Sequence, residues 1–124
     1  MTAFSDLMGV TLQAVTGLIV GSDEVTFIAD DNRQWNMLHY QDCCEGVAIE
    51  EIIGDVADLI GSPILRAEEV VSDAAESPAV YESGTWTFYK LATIKGEVVI
   101  RWLGTSNGYY SESVSFTQVG VHRA

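Results

Sequence analysis

The stretch from residue 85 to residue 119 constrains the fold of this chain more than any other. It is dense in β-branched and aromatic side chains and is broken only at 95–96 and 106–108, where the sequences KG and SNG are typical of turns. Runs of this composition between short turns predict β-strands. We therefore expect three strands joined as a meander, and we expect them to carry the core.

Closing the first hairpin at Lys95-Gly96 predicts that Ile94 faces Glu97. Neighbouring residues of a strand point to opposite sides, so the apolar residues of this hairpin divide between two faces. One face is predicted to hold Tyr89, Leu91, Val98, Ile100 and Trp102, and the other Trp86, Phe88, Ala92, Val99 and Leu103. Because both faces are apolar, we expect a central hairpin covered on both sides, or one whose second face meets a partner.

Two further expectations concern this meander. The hairpin register places Lys90 opposite Arg101, and like charges directly opposite each other destabilise a sheet unless a carboxylate lies nearby. We therefore expect a neighbouring acidic strand. The Asn107-Gly108 pair predicts a type I′ turn, so that residues from Tyr110 onward fold back along the preceding strand.

The remaining sequence predicts more short strands and one short helix. Apolar patterning between turn signals predicts strands over residues 9–21, 24–29, 33–40 and 47–53. Residues 64–73 fit a strand or a helix, and we favour a strand. Residues 54–61 predict a helix of two turns, and residues 74–84 predict a loop. We expect a single domain, residues 1–124, that is mainly β: an antiparallel sandwich or partly open barrel of about seven or eight short strands with one short helix.

The net charge of −12 is distributed unevenly along the chain. Residues 1–41 carry a net −4, residues 42–82 a net −10, and residues 83–124 a net +2. Nucleic acids and anionic membrane surfaces attract clustered Lys and Arg, which this sequence lacks, so its charge argues against both as direct partners. A basic protein surface is the partner that this charge favours.

The sequence predicts a cytoplasmic protein. The N-terminal residues have neither a basic start nor an uninterrupted apolar run, and no stretch is long and apolar enough to predict a membrane span. The two cysteines, Cys43 and Cys44, are adjacent. Adjacent cysteines cannot build a disulfide framework, so they suit a reducing compartment.

Residues 39–45 contain several potential metal ligands, namely an imidazole, two thiols and two carboxylates. Adjacent cysteines point in divergent directions, however, and the other histidine lies near the C-terminus. The sequence therefore favours a structural corner, in which Cys43 and Cys44 are buried and Asp42 and Glu45 accept backbone N–H groups. No metal site is predicted.

No catalytic residues are predicted. His39 lies four residues before Cys43 and could act as its base, but nothing marks an oxyanion hole. Paired carboxylates such as Glu50-Glu51 form solvated faces more often than glycosidase or metal sites. Phosphate-binding glycine loops and the motifs of serine hydrolases and zinc proteases are absent from the sequence. We expect a protein that is not an enzyme and that needs no cofactor.

Aromatic residues suggest a possible ligand site. We assign Trp86, Phe88 and Trp102 to the core, whereas the tyrosine pair after the second turn should expose at least one ring. Exposed rings beside a Lys and an Arg could stack on the base and pair with the phosphate of a nucleotide. The predicted ligand-binding set is Tyr81, Lys90, Arg101, Asn107, Tyr109 and Tyr110.

Two long stretches resemble a small uncharacterised domain family found in bacteriophage and prophage genomes. They are QDCCEGVAIEEIIGDVADLIGSPILRAEE at residues 41–69 and TWTFYKLATIKGEVVIRWLGTSNGYYSE at residues 85–112. With a weaker N-terminal match, the resemblance spans nearly the whole chain. It implies a small accessory protein acting inside an infected bacterium, and such proteins often inhibit host defence.

Three functional hypotheses follow. The leading one is a non-enzymatic viral accessory protein that blocks a basic surface of a host protein through carboxylates and an apolar tyrosine anchor. The predicted contacts are Glu50, Glu51, Asp55, Asp58, Glu68, Glu69, Tyr109 and Tyr110. The second hypothesis is a sponge that sequesters a nucleotide-type small molecule. The third is a virion or assembly component, in which exposed apolar strand faces pack against sister subunits to form an oligomer.

Overall fold

The computed structural model describes residues 2–74 and 83–119. Across them the chain forms eight β-strands and two single-turn 3₁₀ helices. The 3₁₀ helices are Phe4–Leu7 and Val56–Leu59. The strands are β1 (Leu12–Thr16), β2 (Glu24–Ala29), β3 (Gln34–Leu38), β4 (Gly46–Ile53), β5 (Arg66–Asp73), β6 (Ser83–Thr93), β7 (Gly96–Ser106) and β8 (Ser115–Val119).

All strand pairs are antiparallel and belong to two four-stranded sheets. Sheet I has the order β1-β2-β3-β8, and sheet II has the order β4-β7-β6-β5. The sheets pack face to face and do not close into a barrel. The prediction of a mainly β, antiparallel sandwich is therefore confirmed. None of the helices in the described residues is long and apolar enough to span a membrane.

The core lies between the two sheets and is rich in aromatic residues. Trp35 and Met37 of β3 face Tyr89 of β6 and Trp102 of β7, and each of these side chains is at most 1% exposed. The indole Nε1 of Trp102 donates to the sulfur of Met37 at 3.2 Å, which joins the sheets across the core. The predicted inner face of the β6–β7 hairpin is confirmed, since Tyr89, Leu91, Val98, Ile100 and Trp102 are all fully buried.

The predicted register of this hairpin is wrong by two residues. Thr93 pairs with Gly96, so Ile94 and Lys95 form the turn and Lys90 faces Val99 in place of Arg101. Gly96 opens β7 and is not part of the turn; a Cβ there would lie 2.5 Å from a carboxylate oxygen of Asp58. A shift of two residues preserves the alternation of side chains, which is why the predicted faces survive the error.

The prediction that the third strand of the meander folds back on β7 is also wrong. Gly108 has a positive φ of 94° but Asn107 does not, so a type I′ turn does not form. The chain instead crosses over Gly104 and enters sheet I, where β8 pairs with β3. Glu112 secures the crossing by accepting hydrogen bonds from the hydroxyls of Thr85 and Ser106.

The middle of the chain follows the prediction in part. The three-stranded N-terminal meander is confirmed by β1, β2 and β3, and the predicted strands at 47–53 and 64–73 correspond to β4 and β5. The predicted two-turn helix at 54–61 is a single 3₁₀ turn, in which the Asp55 side chain accepts a hydrogen bond from the backbone N–H of Ala57. Most of the predicted loop at 74–84 lies outside the described residues.

The crossing over β7 generates a stability prediction for Gly104. A Cβ at this position would lie 2.3 Å from the carbonyl oxygen of Glu112. Because that contact is with backbone, we expect Gly104→Ala to lower the free energy of unfolding by about 1–3 kcal/mol, measured by urea denaturation.

Gly46→Ala is the matched control, since a Cβ there would meet only the Thr105 hydroxyl at 3.7 Å. That substitution should leave stability unchanged or raise it by up to about 1 kcal/mol. Equal losses in the two variants would show that the crossing does not explain the effect.

Candidate functional site

The side of sheet II that faces away from sheet I is the largest candidate surface, and we call it the outer face. Its members alternate with the residues of the same four strands that face sheet I, so they point away from sheet I. The apolar members are Ala48 and Ile53 of β4, Val99 and Leu103 of β7, Trp86, Phe88 and Ala92 of β6, and Val70 of β5. The solvent-facing positions of strands in a β-sandwich are usually polar, so this apolar composition is unusual.

Basic side chains of the two central strands lie opposite carboxylates of the flanking strands on the outer face. Arg101 of β7 lies opposite Glu51 of β4, and its guanidinium binds that carboxylate. Lys90 of β6 lies opposite Glu68 of β5. The predicted acidic neighbour of the β6–β7 hairpin therefore exists on both sides of it, because β4 and β5 flank the two central strands.

Arg101 also covers the aromatic side chains of the outer face. Its guanidinium carbon lies 4.7 Å from the ring centre of Trp86 and 5.5 Å from that of Phe88. The two rings stack with their centres 6.1 Å apart. A guanidinium held between two rings and a carboxylate has little freedom left, so this part of the surface is preorganised.

Of the six carboxylates predicted as partner contacts, two belong to the outer face and both are paired there. Glu51 binds Arg101, and Glu68 binds Arg66, which also reaches Glu97. The pairing with Arg66 lowers the pKa of the Glu68 carboxyl.

The other four predicted carboxylates lie in separate places. Asp55 caps the second 3₁₀ helix, and Asp58 of that helix lies against Gly96 at one end of sheet II. Glu50 occupies a bulge in β4, and Glu69 points to the opposite side of β5 from Glu68. The six carboxylates therefore do not form one patch.

The uneven distribution of charge along the chain does not become a separation of charge in space. The acidic strands β4 and β5 come from the acidic middle of the chain, and the basic residues of β6 and β7 come from its last third. Since β4 and β5 flank β7 and β6 in sheet II, charges that are separated in sequence are neighbours in space. The acidic and the aromatic residues share one face.

The tyrosine pair does not join the predicted contacts. Tyr109 is 89% exposed, which confirms that one ring is accessible, and Tyr110 is half-buried. Both follow the end of β7, whereas Asp58 contacts its first residue, Gly96. An eleven-residue strand separates those ends by roughly 33 Å.

The predicted nucleotide set is not brought together either. Arg101 is engaged by Glu51, Trp86 and Phe88, and Lys90 lies opposite Val99, eight residues before Asn107 along β7. That interval corresponds to roughly 26 Å of strand. Tyr81 lies outside the described residues.

The corner at residues 39–45 is built around a buried ion pair that the sequence did not predict. The Nε2 atom of His39 lies 2.8 Å from the Glu45 carboxylate, and the two side chains are 4% and 0% exposed. The other ring nitrogen of His39 lies 2.7 Å from the carbonyl oxygen of Ser113. Both ring nitrogens of His39 therefore face oxygen atoms, the Glu45 carboxylate on one side and a backbone carbonyl on the other.

Glu45 accepts hydrogen bonds from several directions. The backbone N–H groups of Asp42 and Cys43 both donate to it at 2.9 Å, as predicted for this residue, and Gln41 donates at 3.3 Å. The hydrogen bond with His39 and those backbone donors lower the pKa of the Glu45 carboxyl from 4.5 to about 2. The corner therefore ties the end of β3 to the segment before β8.

The prediction for the cysteines is wrong. Cys43 and Cys44 are exposed, and they form a disulfide with each other. Glu45 occupies the buried position of the corner, because its carboxylate satisfies the backbone donors, and the cysteines are turned outward. Within residues 2–74 and 83–119, no group of three His, Cys, Asp or Glu side chains is placed to hold a metal ion.

Sequence reasoning missed two features of these sites. Trp86 and Phe88 were assigned to the core, but they are half-buried on the outer face. The apolar second face of the hairpin was the signal for this, since it already favoured a partner. For the contact between His39 and Glu45 the sequence contained a weaker indication. The two residues lie six positions apart, on either side of a turn.

The buried ion pair yields a prediction for Glu45→Gln. An amide would present an NH₂ group to donors at one of its two positions and would remove the carboxylate that faces His39. Breaking a buried pair in this way should lower the Tm by on the order of 10 °C in a thermal melt. Glu50→Gln is the control, because Glu50 is exposed and makes no ion pair within the described chain; its Tm should barely change.

A pH series should isolate the same carboxylate. Its pKa is lowered in the folded protein, so its stabilising effect is complete above the ordinary value of 4.5 and is lost as the pH falls toward about 2. The Tm difference between wild type and Glu45→Gln should therefore shrink over that interval. A difference that stays constant down to pH 2 would contradict the assignment.

Comparison with known proteins adds one match. The model of a protein family described as a domain of unknown function (DUF7448) matches residues 5–116. The matched region contains β1 to β7 in full and the first two residues of β8. No curated protein and no solved structure matches the chain.

Proposed function

This chain belongs to the DUF7448 family, and because that membership assigns no activity, we propose a function from the chain's own surface. It is a non-enzymatic binding protein that docks a basic protein partner on the outer face of sheet II. The resemblance to bacteriophage proteins extends this proposal: the partner is a host protein, for example an antiviral defence factor, and binding blocks its basic surface.

The observation that carries this proposal is the aromatic and aliphatic character of the outer face. Trp86 and Phe88 lie at its centre, beside Arg101, and Val70 and Ile53 lie near its edges with 42% and 51% exposure. Trp and Arg are enriched among the residues that dominate binding energy in protein interfaces. Large apolar patches rimmed by polar groups are typical of sites that another protein covers.

Charge supports a basic partner. The chain has 18 acidic and 6 basic residues, and three of the basic residues are already opposite or bound to carboxylates of the outer face. The remaining excess of negative charge accelerates the approach of a cationic protein and repels an anionic one. The anchor of this interface is therefore the Trp86 and Phe88 pair, in place of the tyrosine pair predicted from sequence.

A second copy of the chain is the competing occupant of the outer face, as in a virion or assembly component. The large negative net charge opposes self-association, because two copies would bring like charges together. For this reason we favour the heterologous partner, and the experiment below separates the two.

The experiment places one lysine at either edge of the outer face. Val70→Lys and Ile53→Lys replace exposed aliphatic residues, and Met8→Lys is the matched control, since Met8 is 51% exposed beside the first 3₁₀ helix. A basic host protein captured with the wild-type chain should bind each outer-face variant at least about tenfold more weakly, and Met8→Lys like wild type. Raising the salt concentration should weaken the wild-type complex steeply.

Three results would overturn the proposal. The captured protein could bind all three variants equally, or its affinity could be insensitive to salt. Light scattering could instead show a wild-type oligomer that Val70→Lys disrupts, which would assign the outer face to self-assembly.

A thermal-shift experiment with nucleotides tests the sponge hypothesis. That hypothesis requires a nucleotide to stabilise the protein and the stabilisation to depend on Lys90 or Arg101.

A further inference from the structure

A cleft of about 390 Å³ opens between the two sheets on the side where β5 and β8 form their edges. The first 3₁₀ helix lies in this opening and supplies part of its wall. Its volume is within the range of small-molecule sites. The described residues that line it are Thr2, Ala3, Phe4, Ser5, Ala67, Glu69, Val114 and Phe116.

The chemistry of the lining is one-sided. Glu69 is its only charged residue among those described, and none is basic. Phe4 and Phe116 contribute aromatic rings whose centres lie 5.2 Å apart, nearly perpendicular to each other. Thr2 and Ser5 contribute hydroxyl groups.

Glu69 lies next to a buried phenol. Its neighbour across the sheet is Tyr89, whose side chain is fully buried and packs against Phe4 with ring centres 4.6 Å apart. Burial and the neighbouring Glu69 carboxylate raise the pKa of the Tyr89 phenol, and its hydroxyl donates to the backbone carbonyl of Val114 at 3.5 Å. The phenol therefore adds no second negative charge beside Glu69.

We propose that this cleft binds an alkylammonium group, with Glu69 as its counter-ion and the Phe4 and Phe116 rings as its walls. A carboxylate attracts the cation directly, and aromatic faces attract it through their quadrupole. The hydroxyls of Thr2 and Ser5 can accept the remaining N–H groups. An anionic ligand is disfavoured because the charge of Glu69, the one charged residue in the described lining, would repel it. The net charge of −12 adds to that repulsion.

This site is separate from the outer face. Glu69 and Glu68 are consecutive on β5 and therefore point to opposite sides of sheet II. The inference does not rest on the proposed function, and either can fail alone.

Two kinds of molecule carry an alkylammonium group that could enter the cleft: a free aliphatic amine and the lysine side chain of a polypeptide.

The test is a titration of the ¹⁵N-labelled protein with butylammonium and, in a second arm, with Nα-acetyl-lysine methylamide, both at physiological salt. We expect saturable amide shifts in the millimolar range that centre on Glu69, Val114 and Phe116. Butanol, which has the same chain but no charge, should bind much more weakly. The arm with the higher affinity identifies the source of the ammonium group.

Glu69→Gln is the decisive variant and should weaken binding of either amine by at least about tenfold. Glu68→Gln is the matched control, because it makes the same charge change on the same strand but outside the cleft, and it should leave binding unchanged. The inference is overturned if neither amine saturates, if the two variants weaken binding equally, or if the shifts spread over all the surface carboxylates as for a diffuse counter-ion.

Discussion

The β6–β7 hairpin is apolar on both of its faces, and the rest of the structure depends on how each face is covered. Sheet I covers the inner face and buries Tyr89 and Trp102 completely. On the outer face, within residues 2–74 and 83–119, the Arg101 guanidinium lies over Trp86 and Phe88. The aliphatic residues at the edges of the sheet remain accessible, and a bound protein partner would cover them.

Much of the fold could be predicted from local patterns. Alternation assigned the inner and outer residues of β6 and β7, and turn residues located β2, β3 and β4. The partner of β8 could not be predicted, because alternation says which side of a strand is buried but not which sheet the strand joins. That choice depends on Gly104, which lets the residues before β8 cross closely over β7. It also depends on the edge of β3, to which β8 then pairs.

The candidate sites were predictable to a smaller extent. A count of charge along the chain located the acidic segments, but strand order decided that Glu51 lies next to Arg101 and Glu68 opposite Lys90. The cleft beside Glu69 was also inaccessible to sequence reasoning, since its walls come from the first 3₁₀ helix, β5 and β8. These elements are distant in sequence and meet only where the sandwich is open.

The most direct test of the outer face as a binding surface uses the three tryptophans, which report on different places. Trp35 and Trp102 are at most 1% exposed in the core, whereas Trp86 is half-buried on the outer face. After incorporation of fluorotryptophan, the ¹⁹F NMR spectrum should contain one resonance for each. Saturation with the basic partner should move the Trp86 resonance and leave the other two nearly unchanged. An unmoved Trp86 resonance in the saturated complex would contradict the account.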